Sequence, residues 1–309
     1  MKFLRFPMLV MKDILRNMDP IVLINLSLLS KKMSILISFG DSSRFKISLG
    51  DYLTISCGLE SYNIYLCRGK SNVVAVKCFG GMSSVNWNDT WPKLLFHILK
   101  VFKCPITTVT GFLLGPVKFK EAMQQVIRGN FEIQDMDLKN SSMESDVLGR
   151  MFQEANVTGT LNLNREYGST MQCPKNLKYL LSENSDWFTI DKLLASRCVV
   201  IEVQKCSLTN FELDEYLKKW QNGDYPNLEY FFISGMYLND WSPVLGMMPP
   251  INDIRNTQII EKKIGSINRA VLYGVKTQRA DGVVAWVRMV QYWEPSGLVI
   301  MKFSMIVLN

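Results

Sequence analysis

The apolar residues of this chain change period along its length, and those changes restrict the fold more than any composition figure. Over residues 4–39 the period is helical. Val10, Ile14 and Met18 recur at i, i+4 and i+8, with Met11 and Leu15 widening the stripe. Leu23, Leu26 and Met33 continue it on one side, with Ser30 between them at helical spacing. Asp19 suits the cap of a second helix, and Pro20 suits its first position, where the missing N–H would be unpaired anyway. Two short helices joined at a Met18-Asp19-Pro20 corner are therefore expected, ended by a turn at residues 40–43. Residues 44–79 switch to period two. Phe45, Ile47 and Leu49 alternate with polar residues, and strand-like runs follow at 52–55, 62–66 and 73–76. With Gly58 and residues 68–72 as turns, this predicts a small antiparallel meander.

Residues 87–235 alternate helix and strand. Helices are expected at 91–102, 120–127, 190–196 and 211–220, with Gly223 as the stop of the last. Strands are expected at 106–110, 131–133, 177–180, 199–203 and 228–232, and the Asn-, Ser- and Gly-rich stretch 140–170 reads as loop. The strand starts at Val199 and Leu228 repeat after about 29 residues, the period of a leucine-rich-repeat-like βα unit, and Cys206-Ser207-Leu208 suits the turn of such a unit. Antiparallel character returns over 264–308, with strands at 267–275, 283–293 and 298–308. The last is almost continuously apolar and is expected to be buried on both faces. The fold class that follows mixes α+β and α/β, with small N-terminal helices before a leucine-rich-repeat-like βα region flanked by antiparallel strands.

Composition narrows the function. With 309 residues, 48% of them hydrophobic and 11% aromatic, the chain has material for a substantial core, which argues against a disordered state. No apolar run reaches membrane-spanning length, and Arg5, Pro7, Lys12 and Asp13 interrupt the N-terminus before a signal-peptide core could form, so neither a membrane nor an export role is expected. Seven cysteines without a CxxC pair read as reduced thiols in a cytoplasmic or nuclear protein. His97 is the only histidine, which excludes HExxH and any multi-histidine metal site; the P-loop, GxGxxG and GxSxG patterns are absent too. No cofactor or metal is therefore expected. His97 itself is expected to be a partly buried structural residue. The net charge of +7 is spread singly through apolar sequence, unlike a nucleic-acid-binding element with interleaved aromatics.

Two stretches carry a family resemblance. Residues 3–10 (FLRFPMLV), 14–20 (ILRNMDP) and 23–32 (LINLSLLSKK) resemble an F-box, especially the nematode form with its aromatic-Pro start, Met-Asp-Pro centre and Leu-Ser-x-x-Ser-Lys end; the start is shorter than that family's usual beginning. Residues 186–194 (DWFTIDKLL), 208–210 (LTN), 217–223 (LKKWQNG) and 227–230 (NLEY) resemble the type 2 F-box-associated region of the same proteins. The resemblance implies an F-box over 1–43 and an F-box-associated, substrate-binding domain over 44–309. It also implies a non-catalytic substrate receptor of an SCF-type ubiquitin ligase, with a Skp1-like adaptor, through it a cullin, and an unidentified protein substrate as partners. Carried over by position, Phe6, Pro7, Val10, Ile14, Leu15, Met18, Leu23, Leu26 and Met33 would lie at or support the adaptor interface. Leu15 or Met18 would supply the anchors, while some of the set forms the internal core of the helices.

For the substrate side, Trp187 and Trp220 are candidate recognition aromatics, although a Trp beside a helix end more often closes a core. Asp240-Trp241-Ser242-Pro243 and the Met247-Met248-Pro249-Pro250 loop are weaker candidates, with a plain linker as the equal alternative. A leucine-rich-repeat-like scaffold without a ubiquitin link, and an enzyme with an unrecognised site, are the alternative classes.

Overall fold

The computed structural model describes residues 6–40, 44–50, 52–66, 73–77, 82–85, 87, 89–111, 115–138, 145–164 and 171–308. The chain divides into two compact units, Met1–Asp137 and Leu138–Asn309.

The first unit opens with three helices where two were expected: α1 (Met8–Arg16), α2 (Pro20–Leu29) and α3 (Lys31–Ser38). The Asp19 carboxylate accepts from the Ile21 N–H and Pro20 begins α2, as the sequence indicates. The extra break is made by Ser30. Its backbone is extended (φ −164°, ψ 152°) and its hydroxyl accepts from the Met33 N–H at 3.2 Å, so it ends one helix and caps the next. Helical spacing persists across a single capping residue, which hid this break from a periodicity argument. The C-terminal carbonyls of α1 are gathered by the Arg44 guanidinium, which donates to Leu15 (3.0 Å), Met18 (3.1 Å) and Arg16. A cation at that end also opposes the helix dipole.

The meander follows as β1 (Phe45–Leu49), β2 (Leu53–Cys57), β3 (Glu60–Leu66), β4 (Val73–Lys77) and β5 (Met82–Val85), each antiparallel to the next. Gly58 turns β2 into β3 at φ +61°, a conformation that favours glycine. Residues 68–72, expected as a turn, lie outside the described residues. Helix α4 (Trp91–Phe102) then leads to β6 (Ile106–Thr110), parallel to β1, and α5 (Gly115–Arg128) leads to β7 (Glu132–Asp137), parallel to β6. Leu94, Leu95, Ile98 and Leu99 of α4 are buried, and Phe102 meets the Phe45 ring at 4.6 Å between centroids. The N-terminal helices are part of this core: α2 packs on β5 and α4, and the Asn25 amide donates to the Ser84 carbonyl at 3.0 Å. Ser27 on α2 meets His97 on α4, with Oγ and Nε2 2.7 Å apart and the Trp87 ring 5.9 Å from the imidazole.

In the second unit, α6 (Ser145–Glu154), β8 (Asn156–Val157) and β9 (Thr160–Leu163) occupy most of the described part of a stretch expected to be loop. Its Asn and Ser content masked an amphipathic helix that buries Leu148, Met151 and Phe152. Next come β10 (Tyr179–Ser182), α7 (Ile190–Ala195), β11 (Val200–Val203), α8 (Asn210–Gln221) and β12 (Tyr230–Gly235). Strands β9 to β12 are parallel and lie side by side in chain order, with Thr160, Tyr179, Val200 and Tyr230 in register. Then follow β13 (Ile259–Ile264), β14 (Ile267–Leu272), β15 (Val275–Gln278), β16 (Val284–Trp293) and β17 (Val299–Leu308). β17 pairs antiparallel with β12 and continues the sheet through β16 to β15, whereas β13 and β14 form a separate hairpin. The single strand expected over 267–275 is thus two, divided where Tyr273 takes φ 57°.

Both faces of this sheet are covered. On one, Phe231 and Phe303 (centroids 5.8 Å apart) meet Tyr216 of α8. On the other, Val200, Tyr230 and Ile306 pack with Ile260, Ile264 and Val271 of the hairpin. That is why β17 reads as continuously apolar. An Arg269–Glu202 ion pair and a 3.0 Å bond from Lys262 Nζ to the Val307 carbonyl fasten the hairpin down.

Two outcomes follow from this packing. A Cβ at Gly235 would collide with the Cys206 backbone carbonyl, so Gly235→Ala should cost about 1–3 kcal/mol in a urea titration. Burial holds the His97 imidazole below its ordinary value of 6.5. The unfolded chain therefore binds that proton more readily, and the stability contributed by the neutral ring is complete above the ordinary value and lost as pH falls through the lowered one. The Tm of the wild-type chain should drop more steeply on acidification below about pH 6.5 than that of His97→Gln, as read by circular dichroism melts.

Candidate functional site

The first candidate surface lies on the N-terminal helices. Helix α1 turns Met11 and Leu15 inward. Phe6, Met8, Leu9 and Val10 face solvent at its start, with Leu9 at 76% exposure. Val22, Leu29, Ile35 and Phe39 are exposed on the rest of the segment, with Lys103 Nζ 5.3 Å from the Phe39 ring. Apolar exposure of this density on one short segment is the usual mark of a docking surface.

The structure divides the residues singled out by sequence. Phe6, Pro7 and Val10 are exposed; Ile14, Met18 and Leu26 are half-buried; Leu15, Leu23 and Met33 are buried. Leu15 is corrected as an anchor, since at 3% exposure it belongs to the unit's own core. Met8 and Leu9, outside the sequence-derived set, are more exposed than most of its members. A helix stripe defines two faces, and only tertiary packing decides which one the chain covers.

Among the described residues, Ser27 and His97 form the one serine–histidine contact that a hydrolytic reading could use, and they open on a shallow hollow of about 410 Å³ beside Leu28, Lys31 and Ile35. Their hydrogen bonds point the wrong way for catalysis. The Ser27 hydroxyl donates to the Ile24 carbonyl at 2.6 Å, so His97 Nε2 acts as donor to Ser27 Oγ rather than as its base. Among the described residues no carboxylate orients the other ring nitrogen, and no group of three or more His, Cys, Asp or Glu is placed to hold a metal ion. The pair joins two helices.

In the second unit, Trp187 and Trp220 are corrected as recognition aromatics: they are 1% and 0% exposed. Trp187 stands edge-on to Phe188 with Lys192 Nζ 5.7 Å from its ring, and Arg279 lies 5.8 Å from the Trp220 ring. Both indoles are core, each beside a cation. Trp241, by contrast, is 75% exposed. Its loop is held by the buried Asn210 at the start of α8, whose amide donates to the Asn239 (2.9 Å) and Ser242 (2.6 Å) carbonyls while its oxygen accepts from the Asn239 N–H. Asp214 accepts from the Leu245 N–H at 2.7 Å and Asp240 from the Gln291 amide at 3.1 Å. The backbone is pinned while the indole remains outside.

Glu212 and Asp214 near the start of α8 have structural roles. Glu212 completes a capping box with Thr209, and Asp214 pairs with Lys218 at 2.6 Å. Met236, Tyr237 and Trp293 are exposed residues of the second unit that the sequence argument missed. Gly235 pairs with Met301, and Trp293 with Val299. The end of β12, the start of β17 and the end of β16 are therefore brought to one edge of the sheet. Only strand register assembles this rim of Met, Tyr and Trp, the residue types enriched where proteins bind one another.

Among the described residues no helix is long and apolar enough to cross a membrane. Comparison with curated proteins finds no match, and neither does comparison with solved structures. A family model does match: residues 171–233, which run from before β10 into β12, correspond to the family described as F-box associated. The βαβαβ segment from β10 to β12, three of the four parallel strands of the second unit, is an F-box associated domain.

Proposed function

We propose that this protein is a substrate receptor of an SCF-type ubiquitin ligase: an adaptor without chemistry of its own. The observation that carries this reading is the F-box associated domain at 171–233. Residues 1–43 act as the F-box, docking on a Skp1-like protein and through it a cullin, while residues 44–309 carry the substrate. The exposed row Phe6, Met8, Leu9 and Val10 supports the docking role, since a few large apolar side chains in partner pockets supply most of the energy of such contacts. On the substrate side, Trp241 with Met236, Tyr237 and Trp293 offers an aromatic rim, and the parallel strands lying in chain order support a leucine-rich-repeat-like scaffold. Catalysis is supplied in trans, by holding a bound protein near a ubiquitin-charged enzyme in the cytoplasm or nucleus.

A second reading, a protein-binding scaffold with no ubiquitin link, is favoured by the burial of Leu15, Leu23 and Met33, which makes the helical segment part of its own unit's core. One experiment separates the two. The full chain, co-expressed with a Skp1-like protein, should co-purify with it. Leu9→Glu and Val10→Glu should weaken that association by about 2 kcal/mol or more each, roughly thirtyfold, with unchanged circular dichroism. Leu15→Glu should instead unfold the helices. Undiminished co-purification of both surface variants, or none for the wild type, favours the scaffold.

A further inference from the structure

The face of the second unit's sheet that carries the β13–β14 hairpin is only partly covered. The hairpin packs on the row formed by Val200, Tyr230 and Ile306, with Phe232 half-buried at its margin. Residues opposite one another in paired strands point to the same face, and so do residues two apart along a strand. Register therefore continues this face past the hairpin. Ser304 stands beside Arg288, Lys302 beside Val290 and Ile300 beside Tyr292, while β12 runs out into Met236. Arg288, Lys302 and Val290 are half-buried, and Met236 (64%) and Tyr292 (45%) are exposed, so this part of the face meets solvent.

Its chemistry differs from that under the hairpin. Lys302 Nζ lies 3.2 Å from the centroid of the Tyr292 ring, which holds the ammonium against an aromatic face. Burial pulls Lys302 below the ordinary lysine value, while Glu294 opposes that shift. A partly desolvated ammonium gains more from an approaching carboxylate than one in bulk water does. The Arg288 guanidinium lies 5.9 Å from the Tyr273 ring, and its Nε is withdrawn from water with no hydrogen bond. Other carboxylates on or beside these strands are held by other cations: Glu229 by Lys262, Glu202 by Arg269 and Asp281 by Arg279.

Spacing selects the occupant. Lys302 and Arg288 are diagonal neighbours across β17 and β16, a relation that separates two positions by about 7–8 Å. In an extended chain, side chains two residues apart stand about 6.5–7 Å from one another on one face. Two carboxylates at alternate positions of an extended segment therefore match the two cations. An apolar side chain two residues further on falls beside Tyr292 and Met236.

We propose that this open face binds an extended acidic segment of a bound protein, with one carboxylate on Arg288 and that of the next residue but one on Lys302. The inference deepens the adaptor reading, from which it takes only the statement that the substrate is a protein.

The test titrates the full chain by isothermal calorimetry at constant ionic strength, so that general screening cannot imitate binding. The probes are blocked peptides: Glu-Ser-Glu-Ser-Leu, its counterpart Gln-Ser-Gln-Ser-Leu, and Glu-Glu-Ser-Ser-Leu, which keeps the charge and loses the spacing. A short oligothymidylate tests a polyanion of another class. Saturable binding of the first peptide is expected, about tenfold or more tighter than that of either other peptide. Lys302→Gln and Arg288→Gln should each weaken it about fivefold or more, and Met236→Glu should abolish it. Lys175→Glu, at an exposed position before β10, should leave it within about twofold. If either glutamine variant does not fold by circular dichroism, Met236→Glu, a change at a solvent-exposed side chain, decides.

Absence of saturable binding, equal binding of either control peptide, displacement of the peptide by the oligothymidylate, or indifference to the variants of this face overturns the inference. Co-purification with a Skp1-like protein is scored on the same preparations. Lost peptide binding with co-purification intact fails this inference alone, and the reverse fails the adaptor reading alone.

Discussion

The architecture of the second unit rests on the burial of one helix face. Leu213, Tyr216, Leu217 and Trp220 of α8 are almost fully withdrawn from water, and the Tyr216 ring touches Phe231 on the strand that follows. A parallel strand pair needs a crossover, and a crossover helix is stable only when its apolar stripe covers the sheet it crosses. Once α8 is seated, β11 and β12 are parallel, β17 can pair with β12, and the opposite face must be closed by something else. The β13–β14 hairpin closes it, and its polar fastenings use Arg269 and Lys262, side chains that keep their heads at the edge of the apolar contact. Burial raises the Glu202 carboxyl, while Arg269 opposes that rise. The pair is therefore held by geometry in partly dry surroundings.

The N-terminal helices show how one apolar stripe serves two ends. Met11, Leu15, Ile21, Leu23, Ile24, Met33, Leu36 and Ile37 close a core with the meander and α4, and Arg44 ties the end of α1 to the start of β1. Leu9, Leu29, Ile35 and Phe39 are left in water. A segment this short cannot bury both faces of three helices within its own unit. The exposed apolar side chains of α1 lie at its beginning, not at its end where Leu15 and Met18 were expected to serve as anchors.

Polar groups inside the molecule act mainly as joints. Ser27 and His97 connect two helices, Asn210 holds the loop before Trp241, and Glu212 closes the start of α8. Each satisfies backbone or hydroxyl groups that would otherwise be buried unpaired, which is costly in a protein interior.

Elements whose signal is local were legible in the chain of letters. The Asp19-Pro20 helix start, the meander and the alternation around β11, α8 and β12 all depend on neighbours within a few residues. The resemblance over 186–235 overlaps the matched family region for the same reason, since its motif residues are contiguous. Helix α6 and strand β13 were not legible, because their polar composition is tolerable only once the sheet lends them an apolar surface. Nor could the letters divide Leu15 from Leu9, or Trp187 from Trp241. Side chains of equal hydrophobicity are sorted into core and surface by which face the rest of the chain covers, and that covering joins residues far apart in sequence. The sequence by itself determined the elements and the kind of chemistry available; tertiary packing alone decided which apolar groups stay in water and which are taken into the core.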